Sequence, residues 1–151
     1  MKLENKKWHD RLIGIADFIA SWSKDPAKKV GAVIVDSKRR ILSTGYNGFP
    51  RGVPDFEELY RDKPMKYPRV VHAELNAILN AKTDLEGSTL YVTHAPCCEC
   101  AKAIIQSGIT AVYVKNADST SEKWKRSVEV ANEMFAYAKI DVYSLVYSTD
   151  E

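Results

Sequence analysis

His72, Cys97 and Cys100 constrain this chain more than any other feature, because whatever the fold, it must carry the segment around position 72 to the segment around position 97. One histidine with a C-x₂-C pair supplies three donors of the kind that hold zinc at three corners of a tetrahedron. Structural sites close the fourth corner with protein, and catalytic sites leave it open to water. Of the other candidates, His9 reads as a surface residue of a first helix, His94 lies on another element, and Cys98 is displaced by one residue on the same turn. Glu74, two residues beyond the histidine, can stand beside such an ion without binding it and carry protons for the nucleophilic water.

The rest of the chain says how those segments meet. Trp8, Leu12, Ile15, Ile19 and Trp22 recur at helical spacing, which predicts a helix with one apolar stripe that stops near Lys24-Asp25-Pro26. Residues 30–35 and 41–46 read as a hairpin about the polar turn 36–40. Residues 47–54 hold the glycines and prolines of an irregular loop, and the stretch from there to His72 is long enough to expect function in it. A helix is expected over 72–82 and a strand over 89–93. Pro96 opens a helix to about Gln106 that stops at Gly108. A strand at 111–114, a helix at 121–139 and a strand at 142–147 follow.

From 89 onward the order is β-α-β-α-β, so those strands run parallel with helices over the sheet faces. The expected architecture is α/β, a three-layer α-β-α domain on a mixed five-stranded sheet, with 1–151 as a single zinc-dependent unit. Ligand sites in parallel sheets lie beyond the carboxyl ends of the strands. The strand ending near Thr93 delivers Pro96 to Cys100 to such a place.

A net charge of +2, with lysines and arginines scattered among acids, argues against a nucleic-acid partner but leaves room for a small anion. All three cysteines fall within 97–100, which fits metal-bound thiolates in a reducing compartment and not a disulfide framework. No apolar run reaches the length of a membrane span, and no signal-peptide pattern opens the chain, so a cytoplasmic protein (host cytoplasm if the source is viral) is expected.

The pattern H-x-E…P-C-x-x-C is the signature of zinc-dependent nucleobase deaminases. Further pieces narrow it: Ser23-Lys24-Asp25-Pro26, Val30-Gly31-Ala32, the Gly45-Tyr46-Asn47-Gly48-Phe49-Pro50-Arg51-Gly52 loop, His72-Ala73-Glu74-Leu75-Asn76-Ala77-Ile78, and Pro96-Cys97-Cys98-Glu99-Cys100-Ala101-Lys102. With these, the chain resembles the deoxycytidylate (dCMP) deaminases of the cytidine and deoxycytidylate deaminase superfamily, in matching order from 23 to 110.

The resemblance implies a cytidine-deaminase-like fold, one Zn²⁺ per chain on His72, Cys97 and Cys100, and Glu74 as the catalytic acid and base. It implies hydrolysis of dCMP to dUMP and ammonia for thymidylate synthesis, in a homohexamer activated by dCTP and inhibited by dTTP with Mg²⁺. For substrate it points to Asn47 at the deoxyribose, the Ala73 N–H at the base, and Ser23 and Lys24 near the 5′-phosphate. His94 is placed to contact substrate or a neighbouring subunit, and Trp124, just after the fourth strand, to cover the sugar-phosphate end. Asn47, Gly48 and Arg51 are the candidates for an allosteric nucleotide. The chain departs from the family in having His94 or Ala95 where an aromatic residue is usual, and in a segment 115–124 that is slightly long.

Two other readings are open at this point. One is another deaminase of the superfamily, acting on a nucleoside, a free base or adenosine in transfer RNA. The other is a non-catalytic zinc scaffold that binds nucleotides as a regulator, which would tolerate loss of Glu74.

Overall fold

The computed structural model describes residues 3–117 and 121–145. Helix α1 (Leu3–Ala20) leads into the antiparallel hairpin β1 (Gly31–Val35) and β2 (Ile41–Tyr46), and two short helices, α2 (Glu57–Arg61) and α3 (Lys63–Lys66), follow. Next come α4 (Ala73–Asn80), β3 (Thr89–His94), α5 (Cys98–Gln106), β4 (Ala111–Asn116), α6 (Glu122–Tyr137) and β5 (Asp141–Ser144). The five strands form one sheet in the order β2-β1-β3-β4-β5. β1 runs antiparallel to both β2 and β3, and β3, β4 and β5 run parallel, so the sheet is mixed as expected. No helix among the described residues is long and apolar enough to cross a membrane.

Strand periodicity sorts the core into two layers. Val33, Val35 and Tyr91 face Leu12, Ile13 and Ala16 of α1. Ala32, Ile34, Leu90, Val92, Val112 and Val114 face the other side, where Ala73, Ala77, Ile104 and Phe135 of α4, α5 and α6 meet them. All five residues of β1 are buried, because β1 lies between β2 and β3 with helices on both faces. This is why 31–35 reads as a continuous apolar run without alternation.

The first helix departs from its expected stripe. Its buried face is His9, Leu12, Ile13, Ala16, Ile19 and Ala20, while Trp22 lies beyond the helix and is 53% exposed. The face is rotated toward Ala16 because α1 crosses β1 at Gly31, where an added Cβ would lie 1.9 Å from the Ala16 carbonyl oxygen. His9 is buried, correcting its expected place at the surface. Its Nδ1 shares a 2.6 Å hydrogen bond with the Tyr91 hydroxyl, and its ring stacks on Tyr113. The helix also ends at Ala20, earlier than the proline predicts, in tight turns that bond the N–H groups of Trp22 and Ser23 to Ile19 and Ala20.

The stretch between 47 and His72 is ordered by α2 and α3, by a Gly48–Val71 antiparallel bridge, and by Phe49 stacked on Tyr60 at 4.0 Å. β5 ends at Ser144, and the expected strand residues 146 and 147 lie outside the described residues.

Candidate metal centre and its surroundings

Two helix beginnings converge beyond the carboxyl end of β3. His72 is the N-cap of α4 and Cys97 the N-cap of α5, both in extended backbone. The loop from β3 into α5 is short, so Cys97 is delivered directly from the strand end. The Cys97 Sγ accepts the Cys100 N–H at 3.4 Å, which closes the first turn of α5 and puts both sulfurs on one side. His72 Nδ1 lies 3.4 Å from the Cys97 Sγ and 3.4 Å from the Cys100 Sγ, and the three donor atoms lie within 4.8 Å of one another. Zinc–ligand bonds of ~2.0 to 2.3 Å at tetrahedral angles separate donors by roughly 3.6 Å, so these three residues fit the ion.

The charges at this centre follow from proximity and burial. The bond shared with Cys100 pulls the Cys97 thiol down to about 4, with help from His72. Cys100, on the other side of that bond and buried, moves up. The hydrogen bond to Cys97 raises His72 above an ordinary histidine, outweighing its burial. Without metal the three donors thus hold shared protons, which zinc must displace to bind. Two helix N-termini aimed at the site favour the thiolates it needs.

Glu74 is buried, at 4% exposure, in the first turn of α4. Burial raises its carboxyl above the usual range, opposed by the nearby His72. A carboxyl kept from water beside a metal centre can hold a proton and release it. Its position depends on how α4 is clamped to β2. Asn76 Nδ2 donates to the Tyr46 carbonyl at 2.7 Å, the Ser43 hydroxyl to the Ala77 carbonyl at 2.6 Å, and Asn80 Nδ2 to the Thr44 carbonyl at 3.3 Å. The asparagine of the His-Ala-Glu-Leu-Asn segment is thereby a brace for the helix that begins at His72 and carries Glu74.

The other residues singled out in the sequence fall into three groups. Ala73 is fully buried beside the ligands, and the Trp124 ring meets the His72 ring edge-on at 6.1 Å. His94, half-buried at the end of β3, shares a 2.9 Å bond with the Thr93 hydroxyl, and burial lowers its pKa. Asn47 and Ser23 are buried in the support of the site: the Ser23 hydroxyl donates to the Asn47 carbonyl at 2.8 Å, and Asn47 binds the backbone of Lys28 and Val30.

Lys24, Gly48 and Arg51 lie further out. Lys24 is exposed and pairs with Asp55 at 2.7 Å. Gly48 is fixed by its bridge to Val71, and Arg51 Nη2 reaches Asn80 Oδ1 at 3.5 Å on the surface. Cys98 stays off the ligand set, with its N–H donating to the Ser127 hydroxyl at 2.9 Å.

The sequence reading passed over two lysines. Lys28 places its ammonium 4.6 Å from the centre of the Trp124 ring. Lys66 forms an ion pair at 2.5 Å with the deeply buried Asp25, tying α3 to the loop before β1. Nothing in the local pattern distinguishes these lysines from neighbouring surface ones.

Three clustered zinc donors at paired helix starts, with a buried acid beside them on an α-β-α sheet, define a metal-dependent hydrolytic centre of the deaminase kind. Comparison with known proteins agrees. Residues 6–116 match the family model for the cytidine and deoxycytidylate deaminase zinc-binding region, and the chain belongs to that family. An uncharacterized deaminase in the luxG 3′ region of Aliivibrio fischeri is 44% identical over 137 residues, covering 90% of this chain and 92% of that protein. Human deoxycytidylate deaminase is 46% identical over 112 residues, covering 70% of this chain; the match spans only 63% of the human protein. The structure of dCMP deaminase from the cyanophage S-TIM5, in complex with dCMP and dUMP, superposes with a TM-score of 0.74 at 28% identity, over 96% of this chain and 99% of that one.

Proposed function

We propose that this chain catalyses the hydrolytic deamination of dCMP to dUMP and ammonia. The observation that carries the reading is the His72, Cys97 and Cys100 cluster with Glu74 buried beside it. The family and the likeness to a phage enzyme bound to dCMP and dUMP support it.

His72, Cys97 and Cys100 would hold zinc, which would supply Lewis acidity and lower the pKa of a bound water toward neutrality. Glu74 takes a proton from the attacking water and gives one to the ring nitrogen beside the amino-bearing carbon. It then carries the second proton to the departing amine, so that water oxygen ends on the ring and nitrogen leaves as ammonia. Its pKa, raised by burial, suits a group that must take up a proton and release it in the course of the reaction. The N–H of Ala73 holds the base, and Trp124 and His94 wall the pocket. Asn47 still has an unused donor and an unused acceptor for the sugar after its backbone bonds. Ser23 supports Asn47 through its hydroxyl, and Lys24, paired with Asp55, stands further out on the phosphate side.

The reading extends to a cytoplasmic homohexamer that serves thymidylate supply, activated by dCTP and inhibited by dTTP with Mg²⁺ around Asn47, Gly48 and Arg51. Exposed Phe18, Trp22 and Tyr46, meeting edge to edge beside that loop, offer an apolar face that assembly would cover. Loss of cytosine absorbance tests the activity, with dCMP, deoxycytidine and dCTP offered separately to zinc-loaded protein. Turnover of dCMP above the others supports the reading, and absence of dCMP turnover overturns it. Sedimentation with and without dCTP and Mg²⁺ tests assembly and regulation.

A further inference from the structure

We propose that Lys28, held over Trp124 at the rim of the metal centre, recognises the 5′-phosphate of the substrate and sets the preference for nucleotide over nucleoside. This rests on the dCMP reading and adds to it a residue outside the sequence motifs.

Four lysines lie in or against the loop before β1, and three of them are engaged. Lys24 pairs with Asp55, Lys66 pairs with the buried Asp25, and Lys29 donates to the Ser23 carbonyl. Among the described residues Lys28 alone of the four has neither a carboxylate nor a carbonyl for its ammonium. It lies instead against the face of the Trp124 ring. That ring in turn meets the His72 ring edge-on. Ammonium, indole and metal ligand are therefore linked by successive contacts, within the reach of a nucleotide from its base to its phosphate.

The backbone of Lys28 is fixed at both ends, as a recognition residue requires. Its N–H donates to Asp25 Oδ1 at 3.4 Å, and its carbonyl accepts Asn47 Nδ2 at 2.9 Å. The residue is solvent-facing, yet its ammonium is partly desolvated and its pKa is lowered by that burial. An unmatched, partly desolvated cation gains on meeting a dianion, because the charge-assisted bond replaces an imperfect hydration shell. A cation–π contact holds the ammonium without neutralising it, so it remains available.

The test uses the zinc-loaded full chain with Lys28→Met, which keeps the stem against Trp124, and Lys28→Arg, which keeps the charge. A charged hydrogen bond of ~1.5 to 3 kcal/mol corresponds to roughly a 10- to 100-fold effect. Lys28→Met is expected to lower kcat/KM for dCMP by that factor, mainly through KM, at least tenfold more than for deoxycytidine, and Lys28→Arg to recover most of it. Calorimetry with dUMP and deoxyuridine reads the same preference without turnover, and Lys28→Met should bring the two affinities together. Equal losses on dCMP and deoxycytidine, or an undiminished preference for dUMP in Lys28→Met, overturn the role of Lys28 while leaving the dCMP reading intact. A wild-type chain that does not deaminate dCMP overturns that reading instead, and the dUMP titrations still decide whether Lys28 reads phosphate.

Discussion

Asn47 Oδ1 accepts the backbone N–H of Val30 at 2.9 Å, so one buried amide ties the end of β2 to the segment entering β1. Its Nδ2 holds the Lys28 carbonyl at 2.9 Å as well. Asn47→Ala leaves both backbone groups without a partner in a partly buried setting. A lost partner costs about 1 to 3 kcal/mol when burial is complete, so a net loss of about 2 kcal/mol is expected here. Urea unfolding should show a lower midpoint with the same slope. Asn47→Asp keeps the acceptor facing Val30 but sets a carboxylate oxygen against the Lys28 carbonyl, so at least as large a loss is expected at neutral pH.

Gly45 shows how closely α4 rests on the sheet. A Cβ there would lie 2.4 Å from the Ala73 carbonyl oxygen and 2.4 Å from the Ala77 nitrogen, both backbone atoms that cannot swing aside. Gly45→Ala must push α4 outward and carry His72 and Glu74 with it. Overpacking of this kind costs roughly 1 to 3 kcal/mol. Bound zinc per chain, measured by metal analysis after dialysis, should fall together with the melting temperature. Full zinc retention in Gly45→Ala would show that α4 can shift without disturbing its ligands.

These particulars explain what could and could not be read from the residues alone. The grouping of His72, Cys97 and Cys100 was legible because metal chemistry dictates their spacing, and two helix starts bring them together, with Glu74 buried in the first turn of α4. The sheet was legible because apolar runs and turn residues mark strands locally. The rotation of α1 was not, since it depends on the missing side chain of Gly31 in another element. His9 misled for the same reason: its partner, Tyr91, lies 82 residues away. Lys28 and Lys66 went unremarked, because their surroundings come from α6 and from the loop before β1 and carry no mark near them in the sequence.

Lys66 and Asp25 make a buried pair whose two members are unequal. The Asp25 side chain is 1% exposed and that of Lys66 13%. Lys66→Met leaves the carboxylate buried without its counter-charge, which costs about 3 kcal/mol or more. Asp25 also accepts the N–H groups of Ala27 and Lys28, so the loop before β1 should loosen with it. Hydrogen exchange at 25–30 is expected to quicken in Lys66→Met, and unchanged protection there would place the pair outside the support of that loop.

Zinc affinity should depend steeply on pH. In the metal-free chain Cys97 titrates at about 4 and is already a thiolate at neutrality, whereas Cys100 is raised and His72 is raised through its bond to Cys97. Binding must therefore displace protons from Cys100 and, below its pKa, from His72. Affinity should weaken as pH falls, by about tenfold per unit for each proton released. Chelator competition between about pH 8 and pH 6 should show a slope above one at the acid end. Cys97→Ser should lower affinity more than tenfold throughout, and a pH-independent affinity would contradict the protonation pattern of the cluster.

Glu74 separates the catalytic reading from a purely structural metal site. Burial raises its folded pKa above 4.5, so the folded chain holds this proton more tightly than the unfolded chain does. Its contribution to stability is fully present below about pH 4.5 and is lost as pH rises through the raised folded value. Glutamine cannot ionise. Metal-free Glu74→Gln should therefore match the parent in acid and melt several degrees higher at neutral pH, while its zinc-loaded form loses roughly 10²- to 10⁴-fold or more in turnover. Thermal melts at pH 4.5 and 7.5, zinc content and deaminase rates measured on the same preparations check both halves. A variant that melts lower at neutral pH would mean that the carboxylate holds the fold together, and one that binds zinc and deaminates normally would place the proton transfers on another group.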